Sequence, residues 1–159
     1  MFKTIRKNMI KLDNLEKIDS QKMYKIYDEW PKMAEEAFYF EHKKIEFKKI
    51  NHIIFTGMGG SGTIGDIFSS ILSKTNIHVT VVKGYTLPKT VSEKSLVITT
   101  SISGNTIETL TALEDAVSKK CKIIAFCSGG KMEEYCKKNK LEFKKFKKIH
   151  SPRASFTVF

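Results

Sequence analysis

Between residues 52 and 147, short apolar runs alternate with amphipathic stretches, and that alternation limits the fold more than any other feature. His52-Ile53-Ile54-Phe55-Thr56, His78-Val79-Thr80-Val81-Val82, Ser95-Leu96-Val97-Ile98-Thr99-Thr100 and Lys122-Ile123-Ile124-Ala125-Phe126 read as buried strands. Residues 142–147 are a weaker candidate for a fifth. The stretches at 64–72, 106–119 and 131–138 read as helices, the second with Ile107, Leu110, Leu113 and Val117 expected on one face. Strands that alternate with helices imply an α/β protein with a doubly wound parallel sheet and ligands at the carboxyl ends of its strands. Ahead of this unit, Met23, Tyr24, Tyr27, Trp30, Met33, Ala34, Ala37 and Phe38 recur at helical steps. Pro31 suits the first turn of a second helix, so two short helices are expected to meet near Trp30. Their aromatic stripe is expected to pack against the domain or a partner subunit.

Two of the strand-to-helix connections have unusual chemistry. Gly57-Met58-Gly59-Gly60-Ser61-Gly62-Thr63 and Ser101-Ile102-Ser103-Gly104-Asn105-Thr106 consist mostly of small residues with hydroxyls and accessible N–H groups. Loops of this kind at helix N-termini hold phosphate without a lysine. Gly57, Gly59 and Gly62 have the spacing of a dinucleotide fingerprint, but the second strand runs into Val82-Lys83-Gly84-Tyr85 with no carboxylate for a ribose. A nucleoside-triphosphate loop is excluded because the lysine that reaches the terminal phosphates is missing. The second loop discriminates further. Ser101, Ser103 and Thr106 can converge on the oxygens of one phosphate at a helix start, with Glu108 in the first turn.

Taken in order, Gly57-Met58-Gly59-Gly60-Ser61-Gly62, Gly84-Tyr85-Thr86-Leu87-Pro88, Ser101-Ile102-Ser103-Gly104-Asn105-Thr106-Ile107-Glu108-Thr109-Leu110, Ser128-Gly129-Gly130-Lys131 and Pro152-Arg153-Ala154 resemble the bifunctional phosphoglucose/phosphomannose isomerases, which are built from sugar isomerase (SIS) domains. Tyr27-Asp28-Glu29-Trp30-Pro31 is similar to that family's opening helix. The resemblance covers about residues 20 to 156. It implies a single SIS domain at 46–150, with a flavodoxin-like, five-stranded parallel sheet. A helical segment at 1–45 would precede it, and 151–159 would begin a truncated C-terminal region.

The resemblance also implies that Ser101, Ser103 and Thr106 grip a sugar phosphate while Gly60 and Ser61 line the sugar side. Arg153 would be catalytic, its guanidinium stabilising the charge of a cis-enediolate at C1–C2. The substrates implied are glucose 6-phosphate, mannose 6-phosphate and fructose 6-phosphate, with no cofactor and no metal, in a cytoplasmic homodimer when full length. The family's carboxylate base, its histidine and its lysine belong to a second SIS domain, expected beyond Phe159, with the histidine coming from the partner subunit, so this chain alone is expected to be inactive or nearly so. Glu108, Glu133 and Glu134 are not taken as the base; the last two are expected on a solvated helix face.

The net charge of +11 raises the possibility of nucleic acid, but the only arginines are Arg6 and Arg153, and base readout favours arginine. No nucleic-acid partner is therefore expected. No apolar run reaches the length of a membrane span, and Met1-Phe2-Lys3-Thr4-Ile5-Arg6-Lys7 leads into no signal-peptide core. Cys121, Cys127 and Cys136 read as free thiols, and His42, His52, His78 and His150 as structural or solvated. Two alternatives stay open: a stand-alone sugar-phosphate-binding regulatory module and a Rossmann-type NAD(P) protein.

Overall fold

A computed structural model describes residues 12–41, 44–149, 151, 153–155 and 157. Residues 1–7, His42, Lys43, His150, Pro152 and Phe159 lie outside the described residues. Among the described residues, three helices come first: α1 (Leu12–Ile18), α2 (Met23–Asp28) and α3 (Trp30–Tyr39). Next come β1 (His52–Thr56), α4 (Gly60–Leu72), β2 (His78–Val82), β3 (Ser95–Ser101), α5 (Ile107–Ser118), β4 (Lys122–Cys127), α6 (Gly130–Lys138) and β5 (Glu142–Lys145).

All five strands are parallel, in the order β2-β1-β3-β4-β5. The α/β, doubly wound sheet expected from the alternation is therefore present. The chain moves one way from β1 to β2 and the other way from β3 onward, so the switch point lies between β1 and β3. Register places Ile54, Val97 and Ile123 on one face, where they form the main core with Leu110, Leu113, Met132 and Cys136 of α5 and α6. Phe55 and Val81 point to the opposite face, under α4. Contact there is close: a Cβ on Gly65 would fall 2.7 Å from the Phe55 Cβ and 3.0 Å from Val81 Cγ1.

Several local expectations change. Helix α4 begins at Gly60 rather than residue 64, because Gly59 acts as its N-cap with φ +53° and lets the small residues after it coil. Helix α6 begins at Gly130, β5 ends at Lys145, and α1 precedes the two short helices for which periodicity gave positions. Ile107 is 60% exposed, so only Leu110, Leu113 and Val117 of the expected α5 face meet the core. Glu133 is not on a solvated face. Its side chain is 13% exposed and pairs with Lys137 at 2.7 Å and Lys145 at 2.9 Å, tying α6 to β5. Hydrogen bonds from these two ammonium groups hold its carboxyl below the usual range.

Helices α2 and α3 meet at Trp30, as expected, with Pro31 in the first turn of α3. Neither helix contains a fully buried residue, and Phe38 is 81% exposed, so the aromatic stripe is only partly covered. Cys127 and Cys136 are buried free thiols and Cys121 is half-buried. Burial pushes Cys136 up to about 11, which suppresses its thiolate.

Candidate functional site

The glycine loop leaves β1 and the serine loop leaves β3. These are adjacent strands on either side of the switch point, where open α/β sheets hold ligands. Thr56, the last residue of β1, pairs in register with Thr99, two residues before the end of β3, and the Thr56 hydroxyl donates to Thr99 Oγ1 at 2.9 Å. A Cβ on Gly57 would fall 3.0 Å from the Thr100 carbonyl oxygen, so the glycine loop abuts the carboxyl end of β3. Helices α4, α5 and α6 all start at this end of the sheet, directing the positive ends of their dipoles toward it.

The serine loop is held from inside and from one neighbour. Ser101, 1% exposed, accepts the Gly104 N–H at 3.1 Å and lies 3.1 Å from the Thr106 hydroxyl. Thr106 is the N-cap of α5, yet its side chain caps no backbone group and is left to Ser101. Ser103 is exposed, and its hydroxyl accepts the Asn105 N–H at 3.2 Å. The structure thus joins Ser101 to Thr106 directly and leaves Ser103 on the solvent side of the same loop.

The neighbour is the β4–α6 connection. Asn105 Oδ1 accepts the Lys131 N–H at 3.0 Å, capping α6 from another loop, and the Gly104 carbonyl accepts the Met132 N–H at 2.9 Å. Ser128 donates to the Ile102 carbonyl through both its N–H and its hydroxyl. Gly104 has φ +67°, and a Cβ there would overlap the Gly129 carbonyl. Ser128-Gly129-Gly130-Lys131 is therefore the outer wall of the serine loop.

Beside the glycine loop lies a cleft of about 440 Å³ lined by Tyr27, Trp30, Gly59, Gly60, Thr63 and Arg153. Gly60 opens α4 and reaches the cleft. Ser61 is 8% exposed, gives its N–H to the Met58 carbonyl at 3.1 Å and does not line it. Arg153 is exposed, and no carboxylate among the described residues forms an ion pair with it. The α2–α3 corner, seen in the sequence only as packing, supplies the aromatic wall of this cleft.

Residues 46–153 match the family model described as "SIS domain". The chain belongs to the SIS domain family. A bifunctional phosphoglucose/phosphomannose isomerase of Caldicellulosiruptor bescii is 43% identical over 96 residues, covering 60% of this chain and 28% of the relative. One from Aquifex aeolicus is 39% identical over 126 residues, covering 76% and 39%. The SIS chain thus spans between a quarter and two fifths of the length of these curated relatives. Among solved structures, the tagatose-6-phosphate ketose/aldose isomerase of Escherichia coli shares the fold, with a TM-score of 0.54 at 19% identity over 87% of this chain and 40% of that one. In an SIS domain, the two loops and the cleft lie where a sheet of this order presents its ligand-binding edge.

Two histidines lie away from this edge. His52, 6% exposed, bonds through Nε2 to the Thr80 hydroxyl at 2.8 Å, and His78 Nε2 approaches that hydroxyl at 3.3 Å. Burial first, and the His78 ring second, lower the His52 pKa. Both stand at the amino ends of their strands and serve the β1–β2 pairing. Among the described residues no group of three His, Cys, Asp or Glu is placed to hold a metal, and no helix is long and apolar enough to cross a membrane.

Proposed function

We propose that this SIS domain binds hexose 6-phosphates as part of a glucose-6-phosphate/mannose-6-phosphate isomerase that interconverts aldose and ketose through a cis-enediol. The observation that carries the reading is a serine loop at the switch point and, beside it, a cleft with an exposed Arg153 that has no carboxylate partner among the described residues. Ser101, Ser103 and Thr106, with the first-turn N–H groups of α5, hold the phosphate. Gly60 and Ser61 line the sugar side, and the Arg153 guanidinium stabilises the oxyanion that develops when the proton leaves C2 on its way to C1. The base that carries the proton comes from chain beyond the present domain, as do the histidine and lysine. In this reading the domain occupies 46–150, 1–45 leads into it and 151–159 leads onward. The full-length protein is a cytoplasmic homodimer. Names and lengths of the curated relatives support the assignment, since they too carry more chain than one such domain.

Calorimetric titration with fructose 6-phosphate tests the binding. The wild-type chain binds it, and Ser103→Ala weakens binding about tenfold, the loss of one hydrogen bond to a charged group. Unchanged affinity in that variant rejects the phosphate-loop assignment. In a coupled isomerase assay the 159-residue chain shows no significant turnover, and robust turnover rejects the division of labour described above.

A further inference from the structure

We propose that Trp30 is a positioning residue for Arg153, which makes the α2–α3 corner part of the sugar-phosphate site; the inference rests on the sugar-phosphate reading above. The turn that carries Arg153 is closed on itself. Ser151 Oγ accepts the Ala154 N–H at 3.2 Å, and the Ser151 carbonyl accepts the Ser155 N–H at 3.1 Å and its hydroxyl at 3.0 Å. Ala154 and Ser155 are fully buried, while Arg153 next to them is exposed. These bonds define the shape of the turn. They do not define where the turn stands relative to the glycine loop on the far side of the cleft.

That placement comes from α2 and α3. The Trp30 indole N–H donates to the Ala154 carbonyl at 3.1 Å, joining residues 124 positions apart. On either side, the Ser151 hydroxyl meets Met23 Sδ at 3.8 Å and the Thr157 hydroxyl meets Met33 Sδ at 3.7 Å. Thioether sulfur is a weak acceptor, so the indole bond is the strong directional link of the three. Tyr27 meets Trp30 edge to face, with ring centroids 4.7 Å apart and planes at 84°, which sets the tilt of the indole. Both rings line the cleft together with Arg153. A tryptophan present only for packing would gain from its ring area alone, and a phenyl ring would serve in its place. A tryptophan that places Arg153 needs the N–H.

The test compares the wild-type chain, Trp30→Phe, Arg153→Gln and the double variant in calorimetric titrations with fructose 6-phosphate and, separately, inorganic phosphate. Inorganic phosphate reads the serine loop alone, whereas the sugar phosphate also reads Arg153. Trp30→Phe is expected to weaken fructose 6-phosphate at least fivefold and to leave inorganic phosphate within twofold. The double variant is expected to bind within twofold of Arg153→Gln, because both changes remove one contribution. Sugar-phosphate affinity within twofold of wild type, equal losses for both ligands, or additive losses in the double variant would each overturn the proposal. Should Trp30→Phe fail to fold, benzothienylalanine at this single tryptophan keeps the ring and removes only the N–H, and the same outcomes apply. A wild-type chain that binds neither ligand overturns the sugar-phosphate reading and this inference together. A wild type that binds, with an unaffected Trp30→Phe, overturns this inference alone.

Discussion

Replacing Gly104 by alanine tests the interlock between the serine loop and the β4–α6 connection. Two costs combine at this position. The backbone sits at φ +67°, where an L side chain costs ~1–2 kcal/mol. The new methyl would also overlap the Gly129 carbonyl, whose carbon lies 2.8 Å away and whose neighbour Ser128 is bonded twice to the Ile102 carbonyl. Overpacking of that kind costs ~1–3 kcal/mol. The stiffer unfolded chain returns ~0.4–1 kcal/mol. The net loss is about 3 kcal/mol, a large part of a domain stability of ~5–15 kcal/mol. With a urea slope of ~2 kcal/mol/M, the unfolding midpoint falls by about 1.5 M. Two companion variants separate the costs. Gly59→Ala meets the positive φ of +53° but no atom within 4 Å, and loses about 1 kcal/mol. Gly84→Ala meets neither problem and is neutral or gains up to ~1 kcal/mol. Urea unfolding followed by circular dichroism gives all three midpoints. A Gly104→Ala midpoint equal to that of Gly59→Ala would show that the two loops do not abut, and the account of the outer wall would be wrong.

Two further predictions concern regions outside the site. His52 is held neutral, chiefly by burial, so below about pH 6.5 the unfolded chain binds a proton that the folded one resists. Stability present above that pH is lost as the pH falls toward the depressed folded pKa. His52→Gln should therefore flatten the dependence of melting temperature on pH below about 6.5, and an unchanged slope would assign the acid sensitivity to other groups. Lys140 ends α6 at φ +54° inside a Schellman motif, with Leu141 N–H on the Cys136 carbonyl and its own N–H on that of Lys137. Lys140→Gly should raise stability by about 0.5–1 kcal/mol in the same urea assay, and a loss would mean that the strain at this position is not felt.

The strands and the two small-residue loops that follow β1 and β3 could be read from sequence because each depends on neighbours a few residues away. Ile54 and Val97 lie in apolar runs, and Ser101, Ser103 and Thr106 share one short loop. Links between distant segments left little trace. The Trp30 bond ends on the backbone oxygen of Ala154, and a carbonyl looks the same in every residue. Asn105 could be read as a turn residue, yet its acceptor serves a helix 26 positions away. The start of α4 was missed because Gly60, Ser61 and Gly62 are poor helix formers on their own, whereas in the fold the Met58 and Gly59 carbonyls accept the Ser61, Gly62 and Thr63 N–H groups and close the first turn. Asp115 shows the same limit. Burial opposes its charge, but Lys119 and the Leu87 N–H prevail and hold its carboxyl low, anchoring the β2–β3 connection from a helix that the sequence shows only as amphipathic.

The cross-loop cap by Asn105 also limits how the site can be transplanted. Ser101 through Thr106, moved alone onto another sheet, would carry the hydroxyls but not the surface that shapes them. The Gly129 carbonyl that abuts Gly104 and the Lys131 N–H that occupies Asn105 come from a separate stretch of chain. The smallest transferable unit is therefore a pair of loops on neighbouring strands, and an engineer who grafts one should expect a slack, solvated turn in place of the ordered serine loop.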